Sequence, residues 1–284
     1  MARGKSLKLF LMDGDPTGRW VCTLAGRTTK AYRIPRKYYK NSSDIQELRK
    51  PAVYMLMGED DVTHQPVAYI GEAEDVYDRL KDHIDKKDFW NEVVAFVSQD
   101  DHFNKAHVKY LESRLYAIAA EVDRCKILNT QVPKAPSISI DEQDEMEDFI
   151  DNVKVISYAM GYKLFEALDK KDVDAIASAT DDEYFYIEGK NISAKMYRSA
   201  EGYVLCKGTK INTSTNKSTP TWALKKREEL IAEGSLVGNE ITRNVVFSSP
   251  SGASDLVTGN STSGRKKWKN KQDITLGEIL DSEK

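Results

Sequence analysis

Cysteine is scarce in this 284-residue chain: there are three, Cys22, Cys125 and Cys206, far apart and never in a CxxC pair. That usage excludes a zinc ribbon and a disulfide framework, and it fits a reducing compartment, so a cytoplasmic location is expected. Long apolar runs are missing too. The opening "MARGKSLKLFLMDG" is too short in apolar residues for a signal peptide, and no later segment is long enough to span a bilayer, so no membrane partner is expected. There is no Walker loop, no GxGxxG and no serine-centred nucleophile elbow, which removes three common enzyme classes. No internal repeat is visible. What is present is 40% hydrophobic and 9% aromatic residues, the composition of a soluble globular protein with one large domain or two modest ones.

Charge is unevenly spread behind a net value of -3. Residues 1–50 carry 12 Lys/Arg against 4 Asp/Glu, residues 51–189 carry 14 against 31, and residues 190–284 carry 16 against 10. Two basic ends around an acidic middle suggest that the ends grip a polyanion while the centre does something else. The competing reading is that the arms are only solvated.

Turn and periodicity signals divide the chain into four parts. Residues 1–50 read as a basic, β-rich extension, in which Asp13-Gly14 and Thr17-Gly18 separate two apolar runs as in a hairpin. Residues 51–168 form the central domain. "PAVYMLMGED" and "QPVAYIGEA" predict two strands, a helix follows from about Asp75, "NEVVAFVSQ" predicts a third strand, and a long helix is expected over about 104–122. This is a β-β-α-β-α unit. Ser139 is expected to cap a further helix whose seven acids in positions 141–151 read as a solvated face. A linker is expected at 169–189, and 190–284 reads as a small basic α+β domain. The fold class is therefore α/β (α+β).

Within the central domain, "AYIGEAEDVYDRLKDH" runs from strand to helix with Tyr69, Gly71, Arg79 and His83 in order. Arg79 and His83 lie four apart at the border of the stripe formed by Val76, Leu80 and Ile84. Glu112 borders the stripe of the later helix, and the three groups are expected to meet above a small sheet. The bland reading of each is an amphipathic side chain at a core margin. "DDHFNKAH", with Asp100, Asp101, His102 and His107, reads as a loop and N-cap rather than a metal site.

Taken together, Tyr54 of "AVY", Tyr69-Ile70-Gly71, Arg79, His83, Glu112 and Asn129 fall in the order of the GIY-YIG nucleases, which residues 50–130 resemble. Two departures stand out: Ala52-Val53-Tyr54 replaces the usual Gly-Ile-Tyr, and Ala73 and Asp75 follow the second motif. The resemblance implies a GIY-YIG β-β-α-β-α core and metal-dependent cleavage of DNA phosphodiesters. It also implies Tyr54, Tyr69, Arg79, His83, Glu112 and Asn129 as the catalytic set. Glu112 suits a largely hydrated Mg²⁺ or Mn²⁺, and Arg79 suits a phosphate oxygen. Tyr54 and His83 both remain open as the general base. Gly71 lets backbone approach the site.

"VVFSSPSGASDLVTGNSTSGRKKWKN" resembles the small domain of unknown function that often trails GIY-YIG modules. Ser248 or Ser249 is expected to cap a helix there. Arg265, Lys266, Lys267, Trp268 and Lys269 interleave cations with an aromatic and are expected to contact DNA, with the double-stranded form as the expected partner; a core position is the alternative for Trp268. The expected function is a metal-dependent DNA endonuclease. The alternative is a non-catalytic DNA-binding or modified-DNA sensor protein on the same scaffold, and an RNA-directed nuclease is a third option.

Overall fold

The computed structural model describes residues 4–60, 66–167 and 184–283. The chain divides between Ala167 and Leu168 into two compact units, both of mixed α+β structure.

The first unit is built on one seven-stranded sheet. Its strands are β1 (Leu7–Leu11), β2 (Trp20–Leu24), β3 (Thr29–Pro35), β4 (Ala52–Glu59), β5 (Pro66–Ala73), β6 (Trp90–Ser98) and β7 (Lys126–Ile127). They lie in the order β1-β2-β3-β6-β4-β5-β7. Every pairing is antiparallel except β5 with β7. The β-rich extension thus continues the sheet of the central domain through the β3–β6 ladder.

Three helices cover the sheet: α1 (Val76–Lys86), α2 (Lys105–Val122) and α3 (Ile140–Ala159). Each begins on a side-chain cap that satisfies orphan N–H groups. Asp75 accepts from Asp78 N, Asn104 accepts from Ala106 N and His107 N, and Ser139 forms a capping box with Glu142. Alternation along the strands sends Val53, Met55, Ala68 and Ile70 to one face, under α2 and α3. Tyr54, Leu56 and Tyr69 go to the other, under α1. The two helices expected to share a side of the sheet therefore lie on opposite faces.

Most cations of the N-terminal extension are spent on internal partners. Arg49 reaches Asp75 and Asp78 at the start of α1, at 3.2 and 2.9 Å. Arg36 donates to Ile84 O and Lys87 O at its end, both at 2.9 Å. Arg19 pairs with Asp13, Lys30 with Glu47 and Arg33 with Glu92. These five arginines and lysines of the basic extension thus clamp α1 and stitch the sheet.

The second unit carries a four-stranded sheet and a separate two-stranded pair. Its strands are β8 (Tyr184–Gly189), β9 (Ile192–Ser199), β10 (Gly202–Leu205), β11 (Leu236–Val237), β12 (Glu240–Ile241) and β13 (Val245–Phe247). Its helices are α4 (Thr221–Ala232), α5 (Pro250–Thr258), α6 (Gly264–Lys267) and α7 (Leu276–Ser282). Ser249, not Ser248, caps α5 by accepting from Gly252 N. Of the expected linker at 169–189, residues 169–183 lie outside the described residues. Its last six form β8, because Phe185 and Ile187 alternate into the core of this unit.

Candidate active site

The register of β4 against β5 sets Tyr54 opposite Gly71 and Leu56 opposite Tyr69, which brings both phenols to one face of neighbouring strands. Their ring centroids are 6.4 Å apart. A Cβ at position 71 would stand 2.5 Å from the Tyr54 hydroxyl, so the phenol occupies space that only glycine leaves open. Helix α1 lies over these rings and presents His83, which is 3% exposed. The Tyr54 hydroxyl and His83 Nε2 form a 2.7 Å hydrogen bond. Tyr69 meets the imidazole edge-on at 5.3 Å.

The electrostatics follow from burial. Desolvation raises the Tyr54 phenol well above its ordinary value, Tyr69 adds to the shift, and Arg79 opposes it from hydrogen-bonding range. Desolvation lowers His83 to about 4, helped by the charges of Arg79 and Lys87. At neutral pH the pair is phenol and neutral imidazole, so the phenol donates and Nε2 accepts. Arg79 is anchored from below by Asp82 at 3.6 Å and is itself half-exposed.

Glu112 comes from α2, on the other face of the sheet. Past Asn129 the outer edge of β5 has no strand partner among the described residues. The Glu112 carboxyl is raised to about 7, first by burial and then by Glu72, against the pull of Lys105, Arg79 and Lys109. It also acts on the ionisation of Tyr54 and Tyr69. Tyr54, Tyr69, Arg79 and His83 thus meet on the α1 face, while Glu112 acts on Tyr54, Tyr69 and Arg79 through its charge from the α2 face, so the expected meeting of all the groups above one face is not what the structure shows.

Asn129 departs from its expected place among the catalytic groups. Its Oδ1 accepts from Ile70 N at 3.0 Å and its Nδ2 donates to Ile70 O at 2.7 Å. Both ends of the amide are committed to the β5 backbone, where they imitate a neighbouring strand and hold Tyr69 and Gly71 in place.

The side chains present suit a divalent metal of one kind only. No trio of His, Cys, Asp or Glu side chains gathers to hold a metal among the described residues. Glu112, however, is a partly buried carboxylate whose charge is disfavoured by desolvation and by Glu72, while Glu72 itself is held by Lys105 at 2.8 Å. One carboxylate with an acidic neighbour suits a hard cation that keeps most of its water, and it does not suit a closed zinc-type cage.

Three residues of this region escaped the sequence reading: Glu72, Lys105 and Lys87. Lys87 Nζ stands 4.1 Å from the Tyr69 ring centroid. The signal for Lys87 was its place four residues after His83, one further helical turn. His102 and His107 sit by the α2 N-cap and bond to Glu145 at 3.0 Å and Glu142 at 3.1 Å, in line with a loop and cap.

In the second unit, Arg265, Lys266 and Lys267 are exposed and Lys269 is half-buried. Arg265 pairs with Asp281 and Lys269 with Asp273, at 2.7 and 2.8 Å. Lys266, Lys267 and Lys269, with Lys271 and Tyr186, line a cleft of about 830 Å³. Trp268 is not on it. It is 0% exposed and its Nε1 donates to Pro250 O at 2.9 Å, so it anchors the core and cannot stack on a base. Its polar tip satisfied inside, the indole is the largest apolar surface this small core has to bury.

Residues 185–280 match the family model of a domain of unknown function, DUF4357. No curated protein and no solved structure matches the chain. No helix among the described residues is long and apolar enough to cross a membrane.

Proposed function

We propose that the first unit is a GIY-YIG-type, metal-dependent endonuclease acting on DNA, and that the second supplies part of its hold on the nucleic acid. The observation that carries this reading is the buried 2.7 Å Tyr54–His83 hydrogen bond beside Arg79, with Glu112 in electrostatic reach. The DUF4357 match supports it, since that domain accompanies GIY-YIG-type proteins.

The chemistry asked of the site is hydrolysis. A water oxygen bonds to phosphorus, the bond to the leaving deoxyribose oxygen breaks, and the water's proton must go to protein or solvent. Tyr54 and His83 form a relay. The phenol oxygen takes the water's proton as its own proton passes along the existing hydrogen bond to Nε2. An anionic phosphate beside Arg79 offsets the positive field that depresses His83, so substrate itself raises the acceptor's basicity. Arg79 stabilises charge on the phosphorane, and Tyr69 orients the attacking water. Glu112 would hold Mg²⁺ or Mn²⁺, which supplies charge neutralisation at the leaving oxygen.

The cleft bounded by Lys266, Lys267 and Lys269 offers phosphate contacts in addition to those of the acidic first unit. Incubation of the full chain with supercoiled plasmid and Mg²⁺, Mn²⁺ or EDTA tests the reading. Nicking with metal and none with EDTA supports it. Binding without cleavage under all metals supports the non-catalytic reading instead.

A further inference from the structure

We propose that Lys87 is a phosphate-binding residue of this site: its ammonium, held over the Tyr69 ring beside Arg79, takes a non-bridging oxygen of the phosphodiester. The proposal rests on the nuclease reading above and adds a cation that the motif did not point to.

Lys87 is held in place by its backbone. It is the C-cap of α1, with φ -138° and ψ 120°, and its N–H donates to His83 O at 3.0 Å. Its carbonyl accepts from Arg36 at 2.9 Å. The extended conformation turns the chain out of the helix, and the ammonium comes to rest 4.1 Å from the Tyr69 ring centroid. A cation over a phenol face is a modest attraction.

The surrounding charges make a purely structural lysine a poor explanation. The nearby acids are engaged elsewhere: Asp82 with Arg79 at 3.6 Å and Lys86 at 3.9 Å, Asp88 with Arg36 at 3.7 Å. Lys87 forms no ion pair among the described residues. Burial and the like charge of Arg79 both lower its pKa. Two cations are thus drawn to one tyrosine, above a neutral imidazole, and Lys87 has no carboxylate partner of its own among the described residues. A doubly coordinated phosphate oxygen relieves that repulsion, and a lysine suits the task as a mobile point charge.

The test compares Lys87→Ala, Lys87→Gln and Lys87→Arg with wild type in two measurements. One is single-turnover cleavage of a duplex at saturating protein. The other is calorimetric binding of thymidine 3′,5′-bisphosphate in Ca²⁺. Melting temperatures establish that each variant is folded. The proposal expects the Ala and Gln variants to lose about 10- to 100-fold in cleavage rate and at least about 10-fold in bisphosphate affinity, with Arg restoring most of both. Ala and Gln variants that stay folded and within twofold of wild type in both measurements overturn it. A wild type that binds the bisphosphate but cleaves no DNA overturns the nuclease reading, and Lys87 is then judged by affinity alone. A wild type that does not bind the bisphosphate overturns both.

Discussion

Replacing Gly71 with alanine adds one methyl group at the point where the strand register brings two phenols together. The new Cβ would lie 2.5 Å from the Tyr54 hydroxyl, 2.6 Å from its Cζ and 2.9 Å from Tyr69 Cε1. Ordinary carbon contacts begin near 3.5 Å, so the phenols must retreat by about 1 Å. Tyr54 is buried on all sides and holds His83 through its hydroxyl, so its retreat stretches or breaks the 2.7 Å bond. Overpacking of this kind costs about 1–3 kcal/mol. For a unit of this size that lowers Tm by several degrees, at about 2–4 °C per kcal/mol. Catalysis is more sensitive: a displacement of about 1 Å in a reacting group costs on the order of 100-fold in rate. Thermal melting and single-turnover cleavage on the same preparation separate the two effects. A folded Gly71→Ala protein within twofold of the wild-type rate would refute the proposed role of the Tyr54–His83 pair.

Three other outcomes are expected. In EDTA, His83 and Glu112 give opposite pH dependences. His83, depressed from 6.5 to about 4, adds stability that is present above pH 6.5 and lost as pH falls towards 4; Glu112, raised from 4.5 to about 7, adds stability that is present below 4.5 and lost as pH rises through 7. The two oppose each other in wild type, so Glu112→Gln should make stability rise more steeply with pH between 4 and 6.5 than it does in wild type; a Tm profile left unchanged by the substitution contradicts the assignment. Lys266→Ala with Lys267→Ala should weaken DNA binding and reduce the log-log salt slope by about 0.9 for each phosphate left without its cation, while Arg265→Ala and Lys269→Ala do less because those cations already face Asp281 and Asp273; an unchanged slope in the double variant removes the cleft from the DNA surface. Trp268→Ala should cost about 3–5 kcal/mol of stability in the second unit and leave the affinity of the folded fraction intact, as calorimetry with a binding titration will show.

The elements of the first unit were legible because their signals are local. Asp75, Asn104 and Ser139 each cap the helix they were expected to begin. The family resemblance put Tyr54 and Tyr69 on one face, which the β4–β5 register bears out, and four-residue spacing put Arg79 near His83. What was not legible depends on partners distant in sequence. Periodicity tells which stripe of α2 is buried but not which face of the sheet it meets, so Glu112 was expected above the tyrosines, whereas α2 packs on the opposite face and Glu112 acts on them only through its charge. Asn129 has the residue type of a catalytic amide, yet a backbone at Ile70 with both groups open claims it. Trp268 sits in a run of cations, and only the three-dimensional packing reveals an indole turned inward. The N-terminal cations, likewise, look free until Arg36 and Arg49 are seen at the two ends of α1.

The central claim is that charge at Arg79 and Glu112 acts on the transition state for phosphodiester hydrolysis. Its most direct test is metal-dependent nicking of supercoiled plasmid by Arg79→Ala and Glu112→Gln, each first shown to be folded. Loss of one transition-state charge at about 3 kcal/mol corresponds to a fall of roughly two orders of magnitude in rate, and that is the result expected for both variants. Either variant cleaving at the wild-type rate in Mg²⁺ or Mn²⁺ contradicts the account.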